Sequence, residues 1–346
     1  MSDVAGPLLD AREALLHAIA KLAGGEHLGR EEARGALGVI LAGSATPAQV
    51  AAFLVGLRVK GETEEEVVGL AECMRESAVR IRPGRPAIDL CGTGGDGSGT
   101  FNISTAASFV VAGAGVAVAK HGNRAASSRS GSADVLEALG VPVDLPPERT
   151  ASAIEELGFG FLFAPVYHPA MRHVAPVRKE LRIRTVFNLL GPLASPAGVA
   201  RQLVGVCDDR ARKLLAGALA RLGTDESWVA HGRGGIDELS LEGPTAITVA
   251  GRGGTREMAV TPEEAGLRAS PIVSLRGGDA ARNAAIVEAV LGGEKGPPRD
   301  AVLLNAGAAL ALAGAAKGLR EGVERASESI DSGAAKRVLQ GARDFR

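Results

Sequence analysis

Two polar clusters along the chain carry residue types that suit phosphate chemistry. In the first, Gly92-Thr93-Gly94-Gly95-Asp96-Gly97-Ser98-Gly99-Thr100 follows the apolar run Ala87-Ile88-Asp89-Leu90-Cys91 and precedes helix-like sequence from Ile103. Glycines let backbone N–H groups approach an anion closely, and a helix N-terminus behind them adds a favourable dipole. Gly92, Gly94 and Gly97 also satisfy G-x-G-x-x-G, but a dinucleotide fold needs an acidic residue ending the next strand, and here that strand ends in Lys120. A cation there suits a phosphate-rich ligand. Asn102-Ile103-Ser104-Thr105 adds an amide and hydroxyls at the helix start; read alone, Asn102 or Ser104 is an N-cap, while beside a phosphate loop a Ser hydroxyl can complete a Mg²⁺ shell. The second cluster, Lys120-His121-Gly122-Asn123-Arg124-Ala125-Ala126-Ser127-Ser128-Arg129-Ser130-Gly131-Ser132, ends another strand-like run. Its cations, hydroxyls and amide make a polyanion site. Ligands of open α/β sheets bind outside the carboxyl ends of strands, so the two clusters are expected to face one crevice.

The elements that must position these loops are legible in outline. The first 80 or so residues read as helix: Leu15, Ile19 and Leu22 form an apolar face, Thr46-Pro47-Ala48-Gln49 is a capping box with Pro at the first helical position, and Thr63 with Glu66 caps a further helix. Beyond Arg82-Pro83-Gly84-Arg85-Pro86, strand-like runs (Ala87–Cys91, Val116–Lys120, Phe159–Ala164, Gln202–Cys207, Glu226–Ala230, Ala246–Val249) alternate with helical ones (Ala133–Leu139, Pro169–Leu181, Arg210–Leu222). Gly251-Arg252-Gly253-Gly254 reads as an exposed turn and the tail from Asp300 as helix. Such alternation predicts an α/β sheet with crossover helices.

Composition narrows the function classes. The 346 residues are 46% hydrophobic and 23% charged, a globular balance, with net charge −1 and 3% aromatics. Neither a basic field nor stacking platforms for nucleic acid are present. Cys73, Cys91 and Cys207 are widely spaced without C-x-x-C, which points to a reduced, cytoplasmic protein without structural zinc. No signal peptide is recognisable at Met1-Ser2-Asp3-Val4, and the apolar stretch Ala106 to Ala119 is too short for a membrane span.

These loops identify a resemblance. Gly92-Thr93-Gly94-Gly95-Asp96, Asn102-Ile103-Ser104-Thr105 and Lys120-His121-Gly122-Asn123 resemble the signature loops of the anthranilate phosphoribosyltransferase family. The stretches Ala164-Pro165-Val166-Tyr167-His168-Pro169-Ala170-Met171 and Arg184-Thr185-Val186-Phe187-Asn188-Leu189-Leu190-Gly191-Pro192-Leu193 match as well, as does the acidic pair in Asp237-Glu238-Leu239. Arg182 departs from the pattern, standing where relatives usually carry Gly.

The resemblance implies a small helical domain plus a larger α/β domain with a central, mostly parallel sheet. Residues 1–82 with part of 169–190 would form the first and residues 83–346 the second, with a homodimer through the helical domain. Phosphoribosyl pyrophosphate would be held by Gly92, Gly95, Asp96, Thr100, Asn102, Ile103, Ser104 and Thr105, and by the run Lys120, His121, Gly122, Asn123, Arg124, Ala125, Ala126, Ser127 and Ser128 with Ser132. Anthranilate would meet Arg178 through its carboxylate, with Gly92 and Asn123 nearby and His121, Tyr167, His168 and Pro192 lining the same channel. Asp237 and Glu238, an ordinary surface pair if read alone, would with Ser104 hold the Mg²⁺ cofactor. The implied reaction joins the phosphoribosyl group to the anthranilate amine and releases pyrophosphate, in tryptophan biosynthesis. No covalent nucleophile or acid–base residue is assigned, and no Ser/His/Asp or Cys/His constellation is evident. A pyrimidine nucleoside phosphorylase is the alternative enzyme, but its signature loop couples Lys to Ser-Thr-Gly-Gly. A nucleic-acid-binding relative without activity is the alternative from another class, disfavoured by the near-neutral charge and by Asp237, Glu238 and Arg178.

Overall fold

A computed structural model describes residues 11–125 and 129–346, so the expectations for Ala126, Ser127 and Ser128 lie outside the described residues. The chain divides into two units, Met1–Ala78 with His168–Leu190, and Val79–Tyr167 with Gly191–Arg346.

The first unit contains α1 (Ala11–Ala23), α2 (Arg30–Leu41), α3 (Pro47–Lys60) and α4 (Glu64–Glu76). Both capping boxes form as the sequence predicts. Thr46 N–H donates to Gln49 Oε1 at 2.9 Å and Thr63 N–H to Glu66 Oε2 at 2.8 Å. Glu66 is buried because it is fully partnered: it accepts Leu28 N–H at 2.8 Å and pairs with the enclosed Lys60 at 2.8 Å. Gly69 lets α4 lie on α2, since a Cβ there would collide with the Arg30 carbonyl.

The second unit is built on one seven-stranded sheet: β1 (Ala87–Gly92), β2 (Ala117–Gly122), β3 (Phe159–Phe163), β4 (Arg201–Gly205), β5 (Glu226–Gly232), β6 (Thr245–Gly251) and β7 (Gly254–Val260). Their order is β3-β2-β1-β4-β5-β6-β7. The first five run parallel and the last two antiparallel, a mostly parallel sheet inside a helical cover. Crossovers are made by α5 (Ile103–Gly113), α6 (Ser132–Ala138), α7 (Pro147–Leu157) and the short α8 (Ala164–Tyr167). Period-two alternation sends Ile88, Leu90 and Val118 into one core cluster with Phe109 and Val110 of α5, and Ala117 and Ala119 into another with Ile154 of α7, Leu162 and Tyr167.

The expected helix over 169–181 is broken in two. A 3₁₀ turn, Pro169–His173, gives way to α9 (Ala175–Leu181), because Pro176 has no N–H to donate and is tolerated only in a first helical turn. The stretch continues into α10 (Phe187–Leu193), and α11 (Asp209–Arg221), α12 (Ala280–Leu291), α13 (Pro297–Leu312), α14 (Leu319–Asp331) and α15 (Ala334–Asp344) complete the chain. Gly251 to Gly254 is indeed a turn, but a hairpin turn leading into β7, which the sequence reading lacks. Exposed along most of its length, β7 shows no apolar alternation to read.

Candidate active site

The sheet order reverses direction between β1 and β4, the place where an open α/β sheet leaves a crevice beyond its carboxyl edge. Three segments follow strands at that edge: the glycine loop after β1, the Lys120–Ser132 loop at the end of β2, and Arg233–Glu238 after β5.

The glycine loop is built from backbone that only glycine adopts at low cost: Gly94, Gly95, Gly97 and Gly99 all have φ between 67° and 75°. Asp96 organises it, accepting Ser98 N–H at 3.1 Å and Ser98 Oγ–H at 2.7 Å. Gly94 N–H donates to Asp237 Oδ2 at 2.7 Å, so the acidic pair lies against the loop. Gly92 and Gly205 make that approach possible. A Cβ on the first would meet the Asp237 carboxylate, and on the second the Asp237 main chain.

Glu238 Oε1 accepts Ser104 N–H at 3.0 Å, at the N-terminus of α5. Lys120, only 2% exposed, donates from Nζ to the Leu90 carbonyl at 2.6 Å and to Ser104 Oγ at 3.3 Å. The structure therefore brings Ser104, Lys120, Asp237 and Glu238 together. Burial, reinforced by the neighbouring Asp237 charge, pushes Glu238 up to about 8. Burial and the nearby Asp96 carboxylate push Asp237 up as well, and burial lowers Lys120 against the pull of Asp89 and Glu238. A cavity of about 10 Å³, the room of one water molecule, lies between Ser104, Glu238, Cys91 and Asn305.

Other expected residues do structural work. The Asn102 side chain makes no N-cap bond. Its Nδ2 donates to Ser130 O at 3.2 Å and its Oδ1 accepts Asn283 Nδ2 at 2.9 Å, which ties two loops to the start of α5. Thr100 joins the Asp96–Ser98 network, its Oγ1 lying 3.3 Å from Ser98 Oγ. Ile103 and Thr105 are buried in α5. Gly122 faces Ser132 and Phe161 too closely for any Cβ. Asn123 accepts Ser132 Oγ–H through its carbonyl at 3.2 Å and Arg124 N–H through Oδ1 at 2.8 Å, while Ala125 N–H donates to Asp134. Arg124 is occupied by Glu137 at 2.6 Å and Asp134 at 3.3 Å, over the Phe163 ring at 5.4 Å. Its charge is thereby matched on α6, whereas the sequence reading places it on substrate. Tyr167, which the sequence reading sets along the acceptor channel, is buried, its ring in the packed cluster of Ile81, Ala119, Ile154 and Leu162.

His168 and Arg178 belong to the helical unit. His168 is buried. The Arg178 guanidinium lies 5.2 Å over the Phe187 ring and pairs with no carboxylate among the described residues; burial alone lowers its value. A partly enclosed cation on an aromatic face, without a counter-charge, suits a planar carboxylate.

Sequence reasoning missed the supports. Asn305 on α13 grips Leu239, accepting its N–H at 2.9 Å and donating to its carbonyl at 3.1 Å, and so fixes the acidic pair. Asn283 holds Gly278 N–H at 2.7 Å besides Asn102. Both lie on helices far along the chain, where no local motif marks them.

As a metal site the donors fit Mg²⁺. Ser104, Asp237 and Glu238 offer hard oxygen donors, with two carboxyl groups whose crowding a cation would relieve. Mg²⁺ is commonly shared between one or two carboxylates and substrate phosphates; among the described residues no group of three or more His, Cys, Asp or Glu is placed to hold an ion by itself.

Known proteins match this chain over nearly its whole length. The a/b domain of a glycosyl transferase family matches residues 84–336, and the same family's helical bundle domain matches residues 16–78. An anthranilate phosphoribosyltransferase from Symbiobacterium thermophilum is 54% identical over 334 residues, 96% of this chain and 97% of that protein. The crystal structure of an anthranilate phosphoribosyltransferase from Thermus thermophilus superposes with a TM-score of 0.89 at 51% identity, covering 95% of this chain and 98% of the other. The enzyme from Saccharomyces cerevisiae in complex with PRPP and Mg gives a TM-score of 0.88 at 31% identity, covering 96% and 98%.

Proposed function

The chain belongs to the anthranilate phosphoribosyltransferases of this glycosyl transferase family, and from that premise we propose how its residues divide the transfer of a phosphoribosyl group to the anthranilate amine. The observation that carries the reading is the convergence of Gly94 N–H, Ser104 and the pair Asp237–Glu238 at the carboxyl edge of β1 and β5. The glycine loop and the N-terminus of α5 supply backbone donors for the diphosphate, and Lys120 supplies positive charge from beneath, with Ser104 Oγ as its relay. Gly95, Asp96, Thr100 and Asn102 shape that pocket, and Asn123 with Ser132 closes its far side. Ser104, Asp237 and Glu238 would hold Mg²⁺, which when bound would spread the charge of the departing pyrophosphate. Arg178 takes the anthranilate carboxylate, while His121 and Pro192 flank the ring and Gly92 and His168 complete its surroundings. The aniline nitrogen is uncharged near neutral pH, so attack on ribose C1 needs no prior deprotonation. Rate enhancement then comes from positioning the amine and from electrostatics at the leaving group.

The product enters tryptophan biosynthesis. Exposed Leu16 and Val59 on α1 and α3, 51% and 81% accessible, support pairing of two copies through the helical unit. No disulfide joins Cys73, Cys91 and Cys207, which supports a reducing, cytoplasmic setting.

The test follows anthranilate fluorescence after addition of phosphoribosyl pyrophosphate and Mg²⁺. The expected result is a decay with pyrophosphate release that EDTA abolishes. Persistent fluorescence with intact protein overturns the reading, and thymidine with phosphate is the next assay. Arg178→Ala is expected to raise the anthranilate KM at least about tenfold, the scale of one lost charge-assisted contact, and to leave the KM for the donor substrate nearly unchanged. Equal effects on both substrates would make Arg178 structural.

A further inference from the structure

Asp89 is an enclosed carboxylate that the chemistry above does not use. It sits in β1, three residues before Gly92, with no solvent exposure. Its Oδ1 accepts the main-chain N–H of His121 at 3.1 Å; no well-aligned donor meets its Oδ2 among the described residues, and the Cys91 thiol and the Lys120 charge nearby offset only part of the cost of its burial. Holding such an oxygen away from water is costly, so the position calls for a physical reason.

The sheet register supplies one. β1 and β2 pair through Ala87↔Ala117 and Ile88↔Val118, whereas β2 stays paired with β3 as far as Gly122↔Phe163. Beyond Val118 no register pair joins these two strands, and the Asp89 carboxylate accepts the His121 N–H in place of a ladder carbonyl. Asp89 is also the register partner of Gln202 on β4. Counting in twos from Ala87↔Ala117, Asp89, Gln202 and His121 fall on one face of three adjacent strands.

That face holds a short piece of main chain. Gln202, itself buried, donates from Nε2 to the Pro192 carbonyl at 2.9 Å. His121 Nδ1 lies 3.2 Å from the Gly191 carbonyl. A carbonyl only accepts, so Nδ1 carries the proton and the ring orientation is fixed. Two consecutive carbonyls are thus gripped by side chains from the strands on either side of Asp89, and Asp89 fixes the backbone of one of those strands.

We propose that Asp89 is a positioning residue for the acceptor substrate, acting through the main chain of His121, with Gln202 as its counterpart on the Gly191–Pro192 segment. The inference rests on the reading above that His121 and Pro192 flank anthranilate, and the experiment separates the two.

KM for each substrate and kcat are measured, alongside thermal melts, for Asp89→Ala, Asp89→Asn, His121→Ala and the double variant Asp89→Ala/His121→Ala. Asp89→Ala is expected to raise the anthranilate KM about tenfold, the scale of one buried donor left unmade, while the donor KM shifts less than about twofold. Asp89→Asn retains an acceptor and is expected to restore most of the loss. The double variant should be no worse toward anthranilate than His121→Ala. A uniform fall in kcat, equal rises in both KM values, an Asn variant as impaired as the Ala variant, or additive effects would each overturn the proposal. Should Asp89→Ala fail to fold, Gln202→Leu carries the same test: an anthranilate-selective rise supports the arrangement and an unselective one overturns it. An unchanged anthranilate KM in His121→Ala overturns the acceptor reading and this proposal with it; a rise there with none in Asp89→Ala overturns this proposal alone.

Discussion

At the scale of single residues, the site is a balance of buried charges. Lys120 is enclosed, and its ammonium reaches the site through Ser104 and the Leu90 carbonyl. Lys120→Ala is expected to raise the KM for phosphoribosyl pyrophosphate by roughly tenfold or more, from the loss of a charged contact of about 1.5–3 kcal/mol, and an unchanged donor KM would remove Lys120 from the binding account. Glu238 yields a pH dependence of stability. Its folded value, pushed up to about 8, lies above its ordinary 4.5, so the folded protein keeps a proton that the unfolded chain has released. Its contribution is fully present below about pH 4 and is lost progressively as pH rises through about 8. Glu238→Gln is therefore expected to melt higher than the parent at pH 8 in EDTA, by roughly 2–4 °C per kcal/mol relieved, with the two curves converging toward pH 4–5; melts that differ equally at all pH values would contradict this origin. The same variant, like Asp237→Asn, should need more Mg²⁺ for half-maximal activity. The types and order of these residues were legible in the sequence. Their degree of enclosure was not, because it depends on Asn305, Gly205 and Asp89, which meet the motifs only after the sheet has formed.

At the scale of elements, the strands and the capped helices were readable wherever one face is apolar or a cap is explicit. Thr46 and Thr63 announce α3 and α4 directly. Helix α7, with Thr150, Ala153 and Ile154 as its buried residues, gives too thin a stripe to recognise, and β7 gives none. Pro169 and Pro176 marked a break that apolar spacing alone had bridged. The end of α9 carries a testable strain. Arg182 caps it at φ 51°, ψ 28°, and is the one non-glycine with positive φ among the described residues. Because glycine adopts that left-handed conformation without a Cβ penalty, Arg182→Gly is expected to stabilise the folded chain by about 1 kcal/mol, the left-handed penalty relieved less the entropy glycine adds. Urea unfolding of the two proteins decides it, and a destabilised glycine variant would mean that the arginine side chain contributes more than its backbone costs. Gly205 at the end of β4 makes the opposite case. Gly205→Ala would force the Asp237 main chain away, so Mg²⁺-dependent activity should fall much further than the melting temperature; a parallel fall in both would point to simple loss of packing.

At the scale of the whole molecule, a mostly parallel sheet whose order turns between β1 and β4 places every loop of the diphosphate site at one edge of the α/β unit. That much follows from strand alternation and the carboxyl-end rule. What the alternation could not foretell is that the site's own acids use its donors. Asp237 accepts the Gly94 N–H and Glu238 accepts the Ser104 N–H, and each N–H donates along one direction only. A phosphate oxygen that claims either donor must displace a carboxyl oxygen, and the displaced group, once it gives up any proton it holds, is then ready for a cation. Affinity for pyrophosphate and affinity for Mg²⁺ are thereby two readings of one free energy, and each ligand must strengthen the other by the same factor. Titrating pyrophosphate at rising Mg²⁺, and Mg²⁺ at rising pyrophosphate, should return equal factors. In Asp237→Asn/Glu238→Gln, where neither side chain can be ionised, those factors should shrink toward those of free solution while metal-free pyrophosphate binds more tightly than to the parent.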